Sequence, residues 1–278
     1  MAPPTLSLEG RSALVTGGGT GIGLGTAAAL AAAGATVTIC GPDTDVLKTA
    51  AQGLQDSGLT EIRTIQADVT VEEQVSAAVE HAMVGGRLDV AVANAGTGFP
   101  GSILHLSAEH WMVPLGVNVL GSAFTIKHAA LKMKKHGGSI ITMSSIASTR
   151  QTRFMAAYGV SKAALDELTR VAASELGCFG IRVNGIRPGW IETDSLQATY
   201  TEANLERAHR ETPLGRLGVP ADIARAVLYF ASDQSEWVTG QLLGVCGGFT
   251  LIPPSVDVSH LARMAFATEM ERDFPSPP

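Results

Sequence analysis

Cysteine is scarce, basic residues are outnumbered and no apolar run is long. Cys40, Cys178 and Cys246 stand far apart with no CxxC pair, which leaves neither a disulfide framework nor a zinc knuckle and suits a reducing compartment. The seven histidines form no HExxH and no short-spaced cluster, so no metal site is expected. Lys and Arg number 20 against 26 Asp and Glu. The one basic cluster, Lys132, Lys134, Lys135 and His136, stands just before Gly137, where cations suit a helix C-terminus. Nucleic acid is therefore not an expected partner. The alanine-rich residues 27–33 fall far short of the ~20 apolar residues of a membrane span. MAPPTLSLEGR lacks the apolar core of a signal peptide, so no membrane is expected and the cytoplasm is the expected location. What is present, 278 residues with 45% hydrophobic and 17% charged, is enough for one α/β domain to bury a sizeable core unaided.

Strand and helix patterns alternate along the chain. Residues 12–16 read as a buried strand, followed by a glycine turn and a helix over about 21–33 that Gly34 ends. Strands at 36–40, 62–67 and 88–93 alternate with helices at 44–57 and 71–84. A long helical region, 108–135, is expected to break near Pro114. A strand at 139–143, a helix at 158–178 and a strand at 182–186 follow. Residues 190–213 read as an irregular stretch and lid candidate, before a helix at 221–231 and a strand at 242–245. This alternation predicts an α/β fold, a doubly wound parallel sheet (Rossmann fold) with helices on both faces. A single domain is expected over 1–252, with 253–278 a C-terminal tail carrying one short amphipathic pattern at 258–270.

Two features carry chemistry. Thr16-Gly17-Gly18-Gly19-Thr20-Gly21-Ile22-Gly23 joins the first strand to the first helix. Glycines there let backbone N–H groups approach a ligand closely, and a helix N-terminus favours a pyrophosphate. Further on, Tyr158 and Lys162 are four residues apart in a helical pattern, on one face and about 6 Å of rise apart. A free tyrosine, with a pKa near ~10, is a poor base at neutral pH, but an ammonium beside it favours the phenolate. Ser144 and Ser145 stand where the preceding strand gives out, at the expected mouth of the ligand crevice. By itself a Tyr–Lys pair of this spacing is as readily an ordinary surface pair.

Taken together, the motifs resemble the short-chain dehydrogenase/reductase family in its compact single-domain form. TGGGTGIG resembles that family's TGxxxGIG turn, and Ala93-Asn94-Ala95-Gly96 its NNAG segment, with Ala replacing the first Asn. Asn118 matches its helix asparagine, and Ser145, Tyr158 and Lys162 its serine and YxxxK pair. Asn184 to Gly189 (NGIRPG) with Thr193 resembles its N-x-[IV]-x-PG…T segment, so the likeness runs from about Leu8 to Gly248. The resemblance implies an NAD(P)-dependent oxidoreductase that interconverts a secondary alcohol and a carbonyl. Tyr158 is then the general acid/base, Lys162 lowers its pKa and bonds the nicotinamide ribose, Ser145 orients the substrate oxygen, and Asn118 holds a water of a proton relay. It also implies a cofactor site at Gly17, Gly19, Thr20, Gly21, Ile22 and Gly23, with Asp68 and Val69 at the adenine. Asn94, Ala95 and Gly96 lie on the adenine-ribose side, and Pro188, Gly189, Ile191 and Thr193 at the nicotinamide, with Tyr158 and Lys162.

The resemblance places the NAD-selecting Asp at Gly41 and an NADP-selecting Arg at Pro42, and neither residue type is present. Asp43, an expected N-cap of the second helix, and the uncharged Thr20 favour NAD(H) over NADP(H). The expected partner is a small-molecule carbonyl or alcohol, in a pocket partly lined by Phe99, Met155, Trp190, Ile191 and Leu196. Arg150 and Arg153 read either as solvated surface arginines or as a greeting for an anionic substrate group. Acyl-thioester reduction (enoyl, dienoyl or 3-oxoacyl) and a non-catalytic dinucleotide sensor are the alternatives. The family also implies a homo-oligomer, a dimer or tetramer paired through helices 108–135 and 158–178. Ala129, Ala130, Ala163, Ala164, Ala172 and Ala173 on those helices would permit close approach.

Overall fold

The computed structural model describes residues 6–199 and 201–251. The expected domain limit at 252 and the tail pattern at 258–270 lie outside them. Along the chain run β1 (Ser12–Thr16), α1 (Gly21–Ala32), β2 (Thr36–Gly41), α2 (Thr44–Asp56), β3 (Ile62–Gln66), α3 (Glu72–Ala82) and β4 (Val90–Ala93). There follow α4 (Ala108–Pro114), a π turn (Leu115–Leu120), α5 (Gly121–Met133), β5 (Gly138–Met143), α6 (Ala156–Leu176) and β6 (Ile181–Pro188). The series closes with α7 (Asp194–Thr199), α8 (Glu202–Arg210), α9 (Pro220–Ala231) and β7 (Leu242–Val245).

Every strand pairing is parallel, in the order β3-β2-β1-β4-β5-β6-β7. All five residues of β1 are buried, as a strand covered on both faces requires. Alternation then sorts them: Ala13 and Val15 join the cluster under α1, α2 and α9, whereas Leu14 joins the one under α3, α5 and α6. The order of strands reverses direction between β1 and β4. In a sheet of this kind the crevice beyond the carboxyl ends of those two strands receives the ligand. The glycine turn follows one of them and Asn94-Ala95-Gly96 follows the other.

Four expectations need correcting. The helical region does not break at Pro114: the backbone stays αR from Pro114 through Leu115 to Gly121 and widens into the π turn. Proline lacks the N–H that an α-helical bond needs, and a wider turn accommodates the gap without leaving the helix. Residues 190–213 are not irregular, since they contain α7 and α8. Ala208 is the buried residue of α8, so that helix has almost no apolar stripe to reveal it in the sequence. Ala129, Ala130, Ala172 and Ala173 are turned into the protein's own core and are not free to face a second subunit. Arg150, finally, is no solvated surface arginine (below).

Candidate active site

The turn after β1 is shaped by contacts that only glycine tolerates. Gly17 has φ +61° and Gly21 φ +49°, and a Cβ on Gly23 would lie 2.1 Å from the Gly17 carbonyl oxygen. The Thr16 hydroxyl accepts from the backbone N–H of Asn94 and of Ala95, each at 3.0 Å. In return, Asn94 Nδ2 donates to the carbonyls of Thr16 (2.8 Å) and Gly17 (3.1 Å). Asn94 is thus spent on holding the turn against β4. The N-terminus of α1 has neither a side-chain cap on Thr20 nor an acidic residue in its first turn. Its N–H groups at Gly21, Ile22 and Gly23 therefore have an anion as their natural complement, and the cradle fits a pyrophosphate. A Cβ on Gly21 would sit 3.1 Å from Thr193 Cγ2, so the segment after β6 lies directly across from the turn.

At the end of β2, Gly41 is buried and the Pro42 carbonyl accepts from Gln66 Nε2 at 2.8 Å. Asp43 caps α2, its Oδ1 accepting from Asp45 N (2.9 Å) and Val46 N (3.1 Å). Residues 41–46 carry no cation. Asp68 Oδ1 likewise caps its own turn by accepting from the N–H and the hydroxyl of Thr70, and Val69 is buried against Gly121.

Asn118 sits inside the π turn and is fully buried. Its Oδ1 accepts from Thr97 N, and its Nδ2 donates to Thr97 O and to Ser161 Oγ, all at 2.8 Å. Ser161 in turn donates to the Tyr158 carbonyl at 2.7 Å. One side chain therefore fixes the loop after Gly96 and the first turns of α6 together.

Lys162 is 3% exposed. Its Nζ donates to the carbonyl of Met143, the last residue of β5, at 2.8 Å and lies 5.7 Å from the centre of the Tyr158 ring. Burial lowers its pKa to about 8, against an opposing pull from Asp166. Gly96 and Gly98 complete the floor. A Cβ on Gly96 would crowd Lys162 Nζ and Asn118 Oδ1 at 3.2 Å, and one on Gly98 would meet Met155 and the Tyr158 ring at 3.1 and 3.4 Å. The paired serines separate in role. Ser144 Oγ donates to the Lys162 carbonyl at 3.3 Å, whereas Ser145 Oγ accepts from Ala147 N at 3.1 Å and keeps its own hydrogen for another acceptor.

Pro188 and Gly189 pass closely against β7, and a Cβ on Gly189 would fall 2.8 Å from Cys246 Cα. The Ile191 side chain is a core residue packed on Gly218, not part of an open pocket wall. Thr193 Oγ1 accepts from Leu196 N at 3.2 Å and starts α7. Phe99 stacks on His110 at 4.3 Å and Trp190 meets Phe249 edge-on. Arg150 is 18% exposed in its side chain, donates to the Phe249 carbonyl, covers the Phe249 ring at 4.2 Å and pairs with Glu211 at 3.8 Å. Arg153 lies over the Phe154 ring at 5.2 Å.

The sequence alone assigned no role to Thr16, Ser161, Asp166, Arg187 or Glu211. Thr16 and Ser161 carry a faint signal as polar residues in otherwise apolar patterns, but the others are recognisable only through partners distant in the chain. Among the described residues no helix is long and apolar enough to cross a membrane.

A family model described as Enoyl-(Acyl carrier protein) reductase matches residues 17–250. The 3-oxoacyl-(acyl-carrier-protein) reductase of Chlamydia muridarum is 36% identical over 244 residues, 87% of this chain and 98% of its own length. The 7alpha-hydroxysteroid dehydrogenase of Escherichia coli K12 is 36% identical over 245 residues, 87% and 95% of the two chains. A solved short-chain type dehydrogenase/reductase from Mycobacterium ulcerans superposes with a TM-score of 0.85 at 39% identity, covering 96% of this chain and 98% of that one. A 7alpha-hydroxysteroid dehydrogenase complexed with NADH and 7-oxo glycochenodeoxycholic acid gives 0.84 at 36% identity, covering 87% and 95%. Nearly full-length likeness at this identity, over the cradle and the buried lysine just described, establishes that the chain belongs to the short-chain dehydrogenase/reductase family and is a nicotinamide-dependent oxidoreductase.

Proposed function

We propose that the enzyme interconverts a secondary alcohol and a carbonyl, with Tyr158 as general acid/base, and that it uses NAD(H) in preference to NADP(H). One observation carries the reading: a buried lysine, tied by Nζ to the end of β5, stands 5.7 Å from the centre of the Tyr158 ring. At pH 7 a group of pKa about 8 is mainly ammonium, and an ammonium there stabilises the phenolate that must take the alcohol proton. Ser145, with its hydroxyl hydrogen uncommitted to Ala147, orients the substrate oxygen from the end of β5. Asn118 acts by position, fixing Thr97 and, through Ser161, the turn that bears Tyr158. The bound nicotinamide supplies or accepts the hydride. Gly17, Gly19, Thr20, Gly21, Ile22 and Gly23 would hold its pyrophosphate. Asp68 and Val69 would hold the adenine, Asn94, Ala95 and Gly96 the ribose side, and Pro188, Gly189, Ile191 and Thr193 the carboxamide.

The preference for NAD(H) rests on the end of β2, where Asp43 is anchored and residues 41–46 bring no cation to meet a 2′-phosphate. The relatives act on an acyl carrier substrate and on a steroid. A carbonyl or secondary alcohol on a larger body is their common denominator. Three unpaired cysteines agree with a cytoplasmic enzyme. Met112, Val113, Leu120 and Leu131, with Val160 and Val171 on α6, are exposed and support assembly of copies through these helices.

The test is a panel of ketones, secondary alcohols and acyl thioesters, followed at the reduced-nicotinamide absorbance with each coenzyme. Turnover of ketones or alcohols with NAD(H) is expected. Turnover confined to carbon–carbon double bonds of acyl thioesters, or a clear preference for NADP(H), would overturn the corresponding part.

A further inference from the structure

Beneath Lys162 lies a second charged pair that the proton-transfer reading does not use. Asp166 follows Lys162 by one helical turn on the same face of α6 and is 3% exposed. Arg187 reaches it from β6, one residue before Pro188, with Nε at 2.9 Å and Nη2 at 2.7 Å. Both bonds end on Oδ2, and Oδ1 is buried with no hydrogen-bond partner. The pair therefore joins the helix that carries Tyr158 and Lys162 to the strand end that carries Pro188 and Gly189.

Packing alone does not call for this arrangement. Two charges buried together must be desolvated, and apolar residues of similar volume commonly do as well or better. A carboxylate left with one bare oxygen is a poor clamp but a strong local source of field. The other groups against Lys162 are the Met143 carbonyl at the end of β5, Ser144 just beyond that strand and Asn118 in the π turn, all uncharged, and the Tyr158 phenol. Glu167 and Arg170, also on α6, pair with each other at the surface at 2.9 Å.

We propose that Asp166 and Arg187 are positioning residues whose balanced charges set the protonation of Lys162 while fastening α6 to the end of β6. The inference rests on the role given to Lys162 beside Tyr158. Asp166 favours the ammonium, and Arg187 tempers Asp166. Burial alone drives Lys162 toward the neutral amine, and the carboxylate one turn away opposes it. Removing either partner leaves a whole charge uncompensated at short range, and the two removals act with opposite sign.

The test reads Lys162 directly. The full-length protein labelled at lysine 13Cε has six lysine signals, and Lys162→Arg assigns the one of interest. Asp166→Asn is expected to lower the titration midpoint of Lys162 by about one pH unit, and Arg187→Met to raise it by about as much. Arg187→Lys, which keeps the charge, and the double variant Asp166→Asn/Arg187→Met should both return close to the wild-type midpoint. Should Asp166→Asn fail to fold, Arg187→Met against Arg187→Lys still decides. Midpoints that stay put, or move the same way in both single variants, would overturn the proposal, because a purely structural pair predicts lost stability with no sign reversal. The measurement needs neither coenzyme nor substrate. Opposite shifts in a protein that turns over nothing on the panel would support this inference and defeat the proposed function, and turnover with an unmoved Lys162 would do the reverse.

Discussion

Lys162, Asn118 and Ser161 at the floor of the cleft, and Arg150, Glu211 and Phe249 at its mouth, are two polar assemblies of similar size built in different ways. The floor groups are buried, and their bonds run to backbone groups of three segments: Met143 O at the end of β5, Thr97 N and O in the loop after β4, and Tyr158 O in the first turn of α6. The mouth group is partly solvated, and it ties one side chain to a carbonyl, a ring and a carboxylate on separate segments. A buried polar group that loses its partner costs more than a solvated one, because water cannot replace what was lost. The floor should therefore fail sharply and the mouth by degrees.

The sharpest break is at Tyr158. Replacing it with Phe keeps the ring over Gly98 and removes only the hydroxyl. If it is the general acid/base, kcat falls on the order of a thousandfold while coenzyme affinity and thermal stability stay near wild type. Steady-state kinetics with a coenzyme titration checks this, and full turnover would favour the dinucleotide-sensing alternative.

The second break uses pH. Lys162 has a pKa of about 8 in the fold against 10.5 for an ordinary lysine. Between those values the unfolded chain holds more protons on this residue than the folded one, so its contribution to stability increases with pH. The cost of burying the ammonium is complete below about pH 8 and relieved by about pH 10.5. Lys162→Met removes the group. The stability of wild type relative to this variant should then rise by on the order of 3 kcal/mol across that window, as urea unfolding at several pH values would show. A flat difference would mean that the amine is not held in low dielectric.

Gly23 sharpens the comparison from the cofactor side. A Cβ there meets the Gly17 carbonyl at 2.1 Å, and that carbonyl is itself held by Asn94. Gly23→Ala must push the turn open, so coenzyme affinity is expected to fall by about tenfold or more, equivalent to about 1.4 kcal/mol, with a smaller change in kcat. Fluorescence titration with the reduced coenzyme reads it. An Ala variant that binds normally would show that the turn relaxes without loss.

The two assemblies also differ in how far the sequence disclosed them. The strands, the glycine turn and the Tyr158–Lys162 spacing are local patterns, fixed by periods of two and 3.6 residues, and they stand in the structure where those periods put them. Asn118 was legible as a residue but not in its bonds, because the π turn around it has no sequence period of its own. Asp166 with Arg187, and Arg150 with Phe249, are 21 and 99 residues apart in the chain. No local pattern signals a pairing of that kind. The α8 helix was missed because Ala208 is its buried residue, so its polar surface reads as a loop. The small residues misled for the converse reason: Ala129 and Ala172 do allow close approach, but to the sheet of their own subunit.

The mildest effect belongs to Arg150. Glu211 follows α8 directly, and Phe249 lies in the turn after β7, so this one guanidinium links the loop beyond Ser145 to both. Its carboxylate partner is shared, since Arg207 also donates to Glu211 at 2.6 Å. A partly buried ion pair held at 3.8 Å to a shared carboxylate is worth about 0–1 kcal/mol, and a cation over an aromatic ring about as much again. Arg150→Met should therefore leave the melting temperature nearly unchanged. If α7 and α8 close over substrate, the lost tether makes the closed form rarer, and KM should rise a few-fold while kcat for bound substrate changes little. Glu211→Gln, which leaves the Phe249 contacts in place, should show less than half of that effect. Equal effects of the two variants would place the whole tether in the ion pair, and a kcat loss without a KM change would remove Arg150 from the mouth and assign it to the floor.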